Sequence, residues 1–244
     1  MHVFFQNIDK YTILNGVIIS LIGFLLLIIS GLLRKNNIPS NYSRKFFHIT
    51  FSFVWLFCIL YFSFQTAIIA ILLGFPFVIY ILHAGKGNFF FEAISRENDY
   101  QNETFFVVFP PIFAVLGTLI SKFILPNYCF IGVFNLAIAD TMGEIIGLKF
   151  GYHKYNVQSL INIKAKKSVE GSLGVFIASL IVSFVSLTFF TNFDSISKII
   201  LSLFISLFVT LIEAISPDGS DNFTIPIFST CILYILSKIF NLVC

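Results

Sequence analysis

The sequence predicts an all-α, polytopic membrane protein with seven or eight transmembrane helices. Hydrophobic residues fill 57% of the 244 positions and only 11% are charged, whereas soluble domains carry roughly 25% charged residues. The mean hydropathy of +0.94 indicates the same class. Apolar stretches of about 20 residues can cross a bilayer, and up to eight of them fill the chain. We therefore expect a single integral-membrane domain over 1–244. The net charge of +3 does not indicate a nucleic-acid partner.

The expected spans follow the apolar stretches in order. The second and third are almost contiguous, which predicts a tight helical hairpin around Phe64 and Gln65. Pro110 and Pro111 predict a kink in the fourth. The first lacks a small-residue cleavage site, so we interpret it as a retained helix rather than a signal peptide. The predicted spans are 12–33, 46–64, 66–83, 104–121, 127–147, 172–191, 196–215 and 223–242.

The distribution of positive charge predicts the orientation. The loops after the first, third, fifth and seventh spans contain 11 of the 15 Lys and Arg residues. The positive-inside rule places these loops in the cytoplasm and both termini on the opposite side. The motif-bearing loops near 34–48, 140–172 and 213–226 all fall on the predicted cytoplasmic side. Segment 84–103 is interpreted as a solvated connector, with a mobile lid as the alternative.

Two acids stand at the end of the very apolar fifth span. Asp140 and Glu144 are four residues apart and share one helix face, together with Gly143 and Gly147. Charges near hydrocarbon cost several kcal/mol, so we expect the acids to face water, a cation or a metal. Helix packing through the two glycines is the alternative, but it does not explain the carboxylates. Paired carboxylates are typical of a magnesium ion that also binds substrate phosphates.

A basic cluster follows in the next loop, where Lys164, Lys166 and Lys167 precede Ser168. Such a cluster beside a membrane is commonly an electrostatic anchor. Ser168 is a predicted N-cap, and the free N–H groups of a helix start suit an anion. The cluster therefore predicts either an anchor or a phosphate-binding site, and the sequence leaves both open.

Two further clusters complete the polar loops. Segment 213–222 contains Glu213, Asp218 and Asp221 but no lysine. Its Pro-Asp-Gly sequence is typical of an ordinary turn, yet an acidic patch facing basic loops indicates a shared site. Segment 44–48 places His48 four residues after Arg44 on one helix face, beside Lys45. These basic residues are interpreted either as interfacial anchors or as part of the same site.

Taken together, the four clusters resemble the integral-membrane lipid-alcohol kinases, the family of phytol kinase, dolichol kinase and CTP-dependent diacylglycerol kinase. Gly143 stands where the family usually has Ala, and Lys149 where Arg is common. Phosphatidate cytidylyltransferase is similar through the middle two motifs and the stretch 151–154, but its C-terminal motif is absent here. The matching residues are Arg44-Lys45-Phe46-Phe47-His48, Asp140-Thr141-Met142-Gly143-Glu144-Ile145-Ile146-Gly147-Leu148-Lys149-Phe150-Gly151, Lys167-Ser168-Val169-Glu170-Gly171-Ser172, and Glu213 with Asp221-Asn222-Phe223-Thr224-Ile225-Pro226.

The resemblance implies transfer of the γ-phosphate of CTP, or of a related nucleotide, to the hydroxyl of a membrane lipid alcohol. That alcohol is phytol, another polyprenol, dolichol or diacylglycerol. The resemblance implies a Mg²⁺ ion held by Asp140, Glu144 and Asp221. The implied catalytic residues are Asp140, Lys167, Glu213, Asp221 and His48. The implied nucleotide-binding residues are Arg44, Lys45, Lys166, Ser168, Glu170, Gly171, Gly147, Gly151 and Asn222.

Two other functions stay open at this point. A phosphatidate cytidylyltransferase would use the same nucleotide but transfer its cytidylyl group. A small cation-coupled transporter would place its acids near the membrane midplane, with a pathway open to both sides. The polar residues here gather on one predicted side, which favours an enzyme.

Overall fold

A computed structural model describes residues 8–95, 103–157, 165–217 and 219–242. Within those ranges, eight helical spans are long and apolar enough to cross a membrane. The predicted class, an all-α polytopic membrane protein, is confirmed. In chain order the elements are α1 (Lys10–Lys35), α2 (Ser40–Tyr61), α3 (Phe64–Ala84), α4 (Phe89–Ile94), α5 (Glu103–Ile124), α6 (Cys129–Phe134), a π-helical segment (Asn135–Ala139), α7 (Asp140–Phe150), β1 (Lys154–Val157), β2 (Ala165–Ser168), α8 (Val169–Phe190), α9 (Ser195–Ile215) and α10 (Asp221–Ile239).

Short side-chain caps start several of these helices. The carboxylate of Asp9 accepts the N–H of Thr12 at 2.7 Å and starts α1. Ser63 accepts the N–H of Thr66 at 3.2 Å and starts α3 directly after α2 has ended. Such caps satisfy N–H groups that have no partner inside the helix. The predicted tight connection between the second and third spans is confirmed, but its turn lies at Phe62 and Ser63, and Phe64 and Gln65 belong to α3.

The chain divides into two compact units, Met1–Val108 and Phe109–Cys244. In the first unit α1 packs against α2, α3 and α4. The hydroxyl of Ser30 on α1 is buried and lies 2.8 Å from the carbonyl oxygen of Ser43 and 2.9 Å from that of Ala93. One serine therefore holds the start of α2 and the end of α4 against α1. The expectation of one domain over 1–244 stays a prediction.

Helix α4 corrects the interpretation of 84–103 as a solvated connector. Phe91 and Ala93 on α4 are buried and belong to an apolar cluster with Leu27 and Ile81. The short helix escaped prediction because six residues are too few to show helical periodicity. Residues 96–102 of this segment lie outside the described ranges.

Helix α5 is continuous through Pro110 and Pro111, and the kink there stays a prediction.

In the second unit, α6, the π-helical segment and α7 together form one span, Cys129–Phe150. The π-helical segment begins at Asn135, whose side chain is fully buried. Its amide nitrogen donates to the carbonyl of Ile131 at 2.9 Å and to Ser183 Oγ at 3.0 Å. Its amide oxygen accepts from Ser179 Oγ at 2.5 Å. Asn135 therefore fixes this irregular turn, immediately before Asp140, against α8.

Small residues let the helices of this unit approach closely. A Cβ on Gly171 of α8 would lie 3.0 Å from the carbonyl oxygen of Gly143 and 3.2 Å from the Cα of Gly147, both on α7. Contacts of this kind are typical of small-residue packing in membranes. The packing interpretation of Gly143 and Gly147 is confirmed, and their face of α7 is occupied by α8.

The polar loop expected after the fifth span contains a β-hairpin that the sequence did not predict. Strands β1 and β2 pair antiparallel, with Tyr155 opposite Lys167 and Lys154 opposite Ser168. Each strand has four residues and β2 is rich in lysine, so neither shows the apolar alternation that signals a strand. Residues 158–164, which include Lys164, lie outside the described ranges.

The close contacts lead to a test of packing. Gly132 on α6 packs against the backbone of α10, and an added Cβ would lie 2.7 Å from Pro226 Cα. We expect Gly132→Ala to lower the free energy of unfolding by about 1–3 kcal/mol, because backbone cannot yield as a side chain can. Gly74→Ala is the matched control, since nothing lies within 4 Å of its added Cβ. Thermal unfolding in detergent measures both, and equal midpoints would contradict the packing.

Candidate active site

The site centres on the side chain of Lys167, near the end of β2. Its ammonium lies 2.7 Å from Glu213 Oε1 and 3.5 Å from Asp221 Oδ2. It also donates to the backbone carbonyl of Glu213. All three side chains are largely removed from solvent, with exposed fractions of 18% for Lys167, 13% for Glu213 and 10% for Asp221. The predicted meeting of the basic and acidic loops is therefore present in the structure.

Helix ends and a tight turn bring the two acids together. Glu213 lies in the last turn of α9, and Asp221 is the first residue of α10. Between them Ser220 N–H donates to the carbonyl of Pro217 at 2.8 Å, and Gly219 has φ of 80°, a value that favours glycine in a turn. An ammonium beside a helix C-terminus and a carboxylate at a helix N-terminus both complement the helix dipoles. The expected turn is confirmed; Asp218 lies outside the described ranges.

Asn222, a predicted nucleotide-binding residue, orders this turn. Its side-chain amide donates to the carbonyl of Gly219 at 3.1 Å and to Asp221 Oδ1 at 3.2 Å. Its backbone N–H also donates to Asp221 Oδ1, at 3.0 Å. Asp221 is therefore held through one oxygen by Asn222 and faces Lys167 with the other. Asn222 thus fixes the acid, and its role toward a nucleotide stays a prediction.

The surroundings keep Lys167 positively charged. Burial alone would lower the pKa of its ammonium, but the carboxylates of Asp221 and Glu213 outweigh burial and raise that pKa above the ordinary 10.5. Asp140 contributes in the same direction, so its charge acts on the same point. A group whose pKa is raised on folding contributes stability below its unfolded pKa and loses it as the pH rises through the folded value. Lys167 is therefore a cation at neutral pH, held by Asp221 and Glu213.

The predicted magnesium ligands are only partly brought together. Asp140 and Glu144 lie one turn apart on α7, and both are partly exposed. Among the described residues, no three His, Cys, Asp or Glu side chains gather closely enough to hold a metal. The expected trio of these two acids with Asp221 is thus not formed. Magnesium needs only one or two carboxylates beside substrate phosphates and water. The donor chemistry of Asp140 and Glu144 fits such an ion.

The start of α8 is already partly satisfied within the protein. Ser168 is the predicted N-cap, and its hydroxyl accepts the N–H of Gly171 at 3.1 Å. The N–H of Val169 donates to the carbonyl of His153 at 3.0 Å. Two of the N–H groups expected to bind phosphate are thus engaged. Gly147 and Gly151 lie against the same serine, where an added Cβ would come within 3.2 Å and 2.7 Å of its Oγ. Their packing accounts for these glycines, and nucleotide binding stays a prediction.

The remaining candidates are Lys166, Glu170 and the basic residues of segment 44–48. Lys166 is exposed, and its neighbour Lys167 points to the other face of the hairpin, as strand alternation requires. Glu170 contacts His153 rather than the lysine cluster. Arg44, Lys45 and His48 belong to the first compact unit, where Lys45 is only 4% exposed. Their predicted share in the nucleotide pocket is untested.

The environment of Lys167 leads to a chemical test with a built-in control. We expect an amine-acylating reagent at pH 8.5 to modify Lys166 faster than Lys167, because the Lys167 ammonium is largely buried and ion-paired with Glu213 and Asp221, which raises its pKa. Tandem mass spectrometry of the peptide that carries both lysines measures the two rates in one sample. Similar rates would contradict the desolvated, ion-paired state of Lys167. Glu213→Gln should reduce the difference between the acylation rates of Lys166 and Lys167, because it removes one carboxylate that pairs with Lys167.

Known sequences place these motifs in context. No family profile and no solved structure matches the chain. It is 29% identical over 122 residues to a phytol kinase from Synechocystis sp., an alignment that covers 49% of this chain and 50% of that protein. It is 24% identical over 227 residues to the chloroplastic phytol kinase 1 of Arabidopsis thaliana, covering 86% and 71%. It is 27% identical over 204 residues to the chloroplastic farnesol kinase of the same plant, covering 79% and 64%.

The chain thus matches about half the length of the Synechocystis protein and larger shares of the two plant proteins. All three are named as kinases of isoprenoid alcohols, and none as a cytidylyltransferase or transporter. The resemblance to the membrane lipid-alcohol kinases is confirmed, since the chain is similar to proteins named as phytol and farnesol kinases.

Proposed function

We propose that this chain is a kinase that transfers the γ-phosphate of CTP, or of a related nucleotide, to the hydroxyl of a membrane lipid alcohol. An isoprenoid alcohol such as phytol or farnesol is the favoured acceptor, because the related proteins are named for these substrates. The acceptor keeps its apolar chain among the membrane helices and presents its hydroxyl at the cytoplasmic side, where the positive-inside rule places the motif loops.

One observation carries the proposal. Lys167 on the hairpin contacts Glu213 at the end of α9 and Asp221 at the start of α10, and the charge of Asp140 acts on the same ammonium. These residues come from three of the four motifs shared with the lipid-alcohol kinases and are far apart in the sequence. A packing role alone does not require a lysine paired with two largely buried acids, because desolvating such charges is costly.

The chemistry of these groups suits phosphoryl transfer. That reaction depends on positioning and on neutralising phosphate charge more than on covalent catalysis. In the proposal Lys167 supplies fixed positive charge to the transferred phosphate, since its raised pKa excludes it as a base. Glu213 or Asp221 accepts the proton of the lipid hydroxyl. Asp140 and Glu144 would hold Mg²⁺, which would supply further charge neutralisation on the nucleotide phosphates.

The first test uses CTP labelled at the γ-phosphate, membranes from cells that express the chain, and a panel of lipid alcohols. We expect label to enter the chloroform phase with at least one isoprenoid alcohol. Lys167→Met and Asp140→Asn should each lower that rate by about 100-fold or more, as removal of a charge-stabilising group does in other enzymes. Lys154→Met is the matched control, because this exposed lysine lies on the same hairpin and should keep the rate within about threefold.

A parallel sample contains CTP labelled at the α-phosphate together with phosphatidate. Label that reaches chloroform only from the α-phosphate would replace the kinase with a cytidylyltransferase. The absence of lipid label from both nucleotides would contradict an enzyme that uses CTP, and substitution of UTP or ATP in the same assay then tests the donor.

A further inference from the structure

We infer that His153 and Tyr155 are positioning residues, which hold the β1–β2 hairpin against the start of α8 and thereby fix Lys167. Neither residue is among the predicted site residues. His153 lies in the stretch 151–154, which is similar to phosphatidate cytidylyltransferase. The inference rests on the proposed function only where activity is the readout, since the position of Lys167 can also be measured chemically.

The first attachment is made by His153, immediately before β1. Its ring Nδ1–H donates to Glu170 Oε1 at 2.6 Å. Its backbone N–H lies 3.2 Å from both carboxylate oxygens of Glu170, and its carbonyl accepts the N–H of Val169 at 3.0 Å. The residue is thus bonded through its ring, its N–H and its carbonyl to the first turn of α8. Hydrogen bonds to a carboxylate are stronger than those between neutral groups.

The second attachment is made by Tyr155 on β1. Its hydroxyl lies 2.8 Å from Ser172 Oγ, also near the start of α8. Tyr155 is directly opposite Lys167 in the strand register, and residues opposite each other in an antiparallel pair project from the same face. The hairpin is therefore attached to α8 at two points, and one of them faces the same way as the lysine.

These attachments matter because Lys167 needs a fixed backbone. Strand β2 has four residues, and an isolated two-stranded hairpin is marginally stable in water. The lysine ammonium must nevertheless stay within 2.7 Å of Glu213 Oε1, on an element 46 residues away in the chain. His153 is 81% exposed, so core packing does not explain its bonds. A role in holding the β1–β2 hairpin against α8 explains these hydrogen bonds.

Two amide substitutions at His153 test whether its ring hydrogen bond to Glu170 holds the hairpin. Asn can place its amide nitrogen near the position of the His153 Nδ1, whereas the longer Gln side chain carries its amide to the position of Nε2. We expect His153→Asn to preserve the bond to Glu170 and His153→Gln to lose it. Tyr155→Phe removes the second attachment and leaves the ring. Tyr152→Ala is the control, since that neighbouring side chain is 85% exposed.

The first readout is acylation of Lys167, with the rate at Lys166 as internal reference. We expect His153→Gln and Tyr155→Phe to raise the Lys167 rate about three- to tenfold, the factor that corresponds to one hydrogen bond. His153→Asn and Tyr152→Ala should stay within about twofold. Equal effects of the Asn and Gln variants, or unchanged protection in His153→Gln, would overturn the inference.

The second readout is lipid phosphorylation, if the chain proves to be a kinase. His153→Gln should lower kcat by about the same factor by which it raises the acylation rate of Lys167. His153→Asn should keep the kcat of the unchanged protein. A chain without kinase activity would refute the proposed function but leave the acylation result decisive for the hairpin. Thermal midpoints of all four variants should agree within about 3 °C, because none of these partly exposed groups fills the core. A general loss of stability in His153→Gln would overturn a local role.

Discussion

The second compact unit depends on one desolvated cation. Removing an ammonium from water costs several kcal/mol unless opposite charges and hydrogen bonds compensate, and Lys167 obtains both from Glu213 and Asp221. Each carboxylate must then be fixed in turn. A turn with a positive-φ glycine and the side chain of Asn222 fixes Asp221, while the helical backbone fixes Glu213. The ion cluster thus joins the end of β2 to the end of α9 and the start of α10.

Small residues on α7 and α8 determine the position of Asp140, the further acid of the candidate site. The contact between α7 and α8 runs through Gly143, Gly147 and Gly171, and a larger side chain there would separate the helices. Asp140 starts α7, directly after the π-helical segment that Asn135 ties to α8. The glycines of the motif therefore pack α7 closely against α8, which fixes the backbone that carries Asp140, and their role toward a nucleotide stays a prediction.

The accuracy of sequence-based prediction differed with the range of the interaction. Eight spans were predictable because each is set by its own local composition. The β1–β2 hairpin and helix α4 were not predictable, since strands of four residues and a helix of six residues are too short to show a hydrophobic period. The resemblance implied Lys167, Glu213 and Asp221 as site residues, and the charges of their loops predicted a shared site, but no spacing rule could give the individual contacts across 46 residues. The sequence predicted Ser168 as the N-cap, whose hydroxyl accepts the N–H of Gly171, but it could not show that the N–H of Val169 is also engaged, by the carbonyl of His153.

In the proposed reaction, the charges of this cluster would favour a nucleotide that carries Mg²⁺. One ammonium contacts the carboxylates of Glu213 and Asp221, so these three residues together are negative, and Asp140 adds negative charge to the surroundings of Lys167. A bare triphosphate would be repelled by such a group, because like charges interact strongly where water is largely excluded. A nucleotide that carries Mg²⁺ into the site would neutralise the acids and allow Lys167 to face phosphate. The same electrostatics would discourage anions from binding without a metal, which is consistent with the magnesium dependence that we propose.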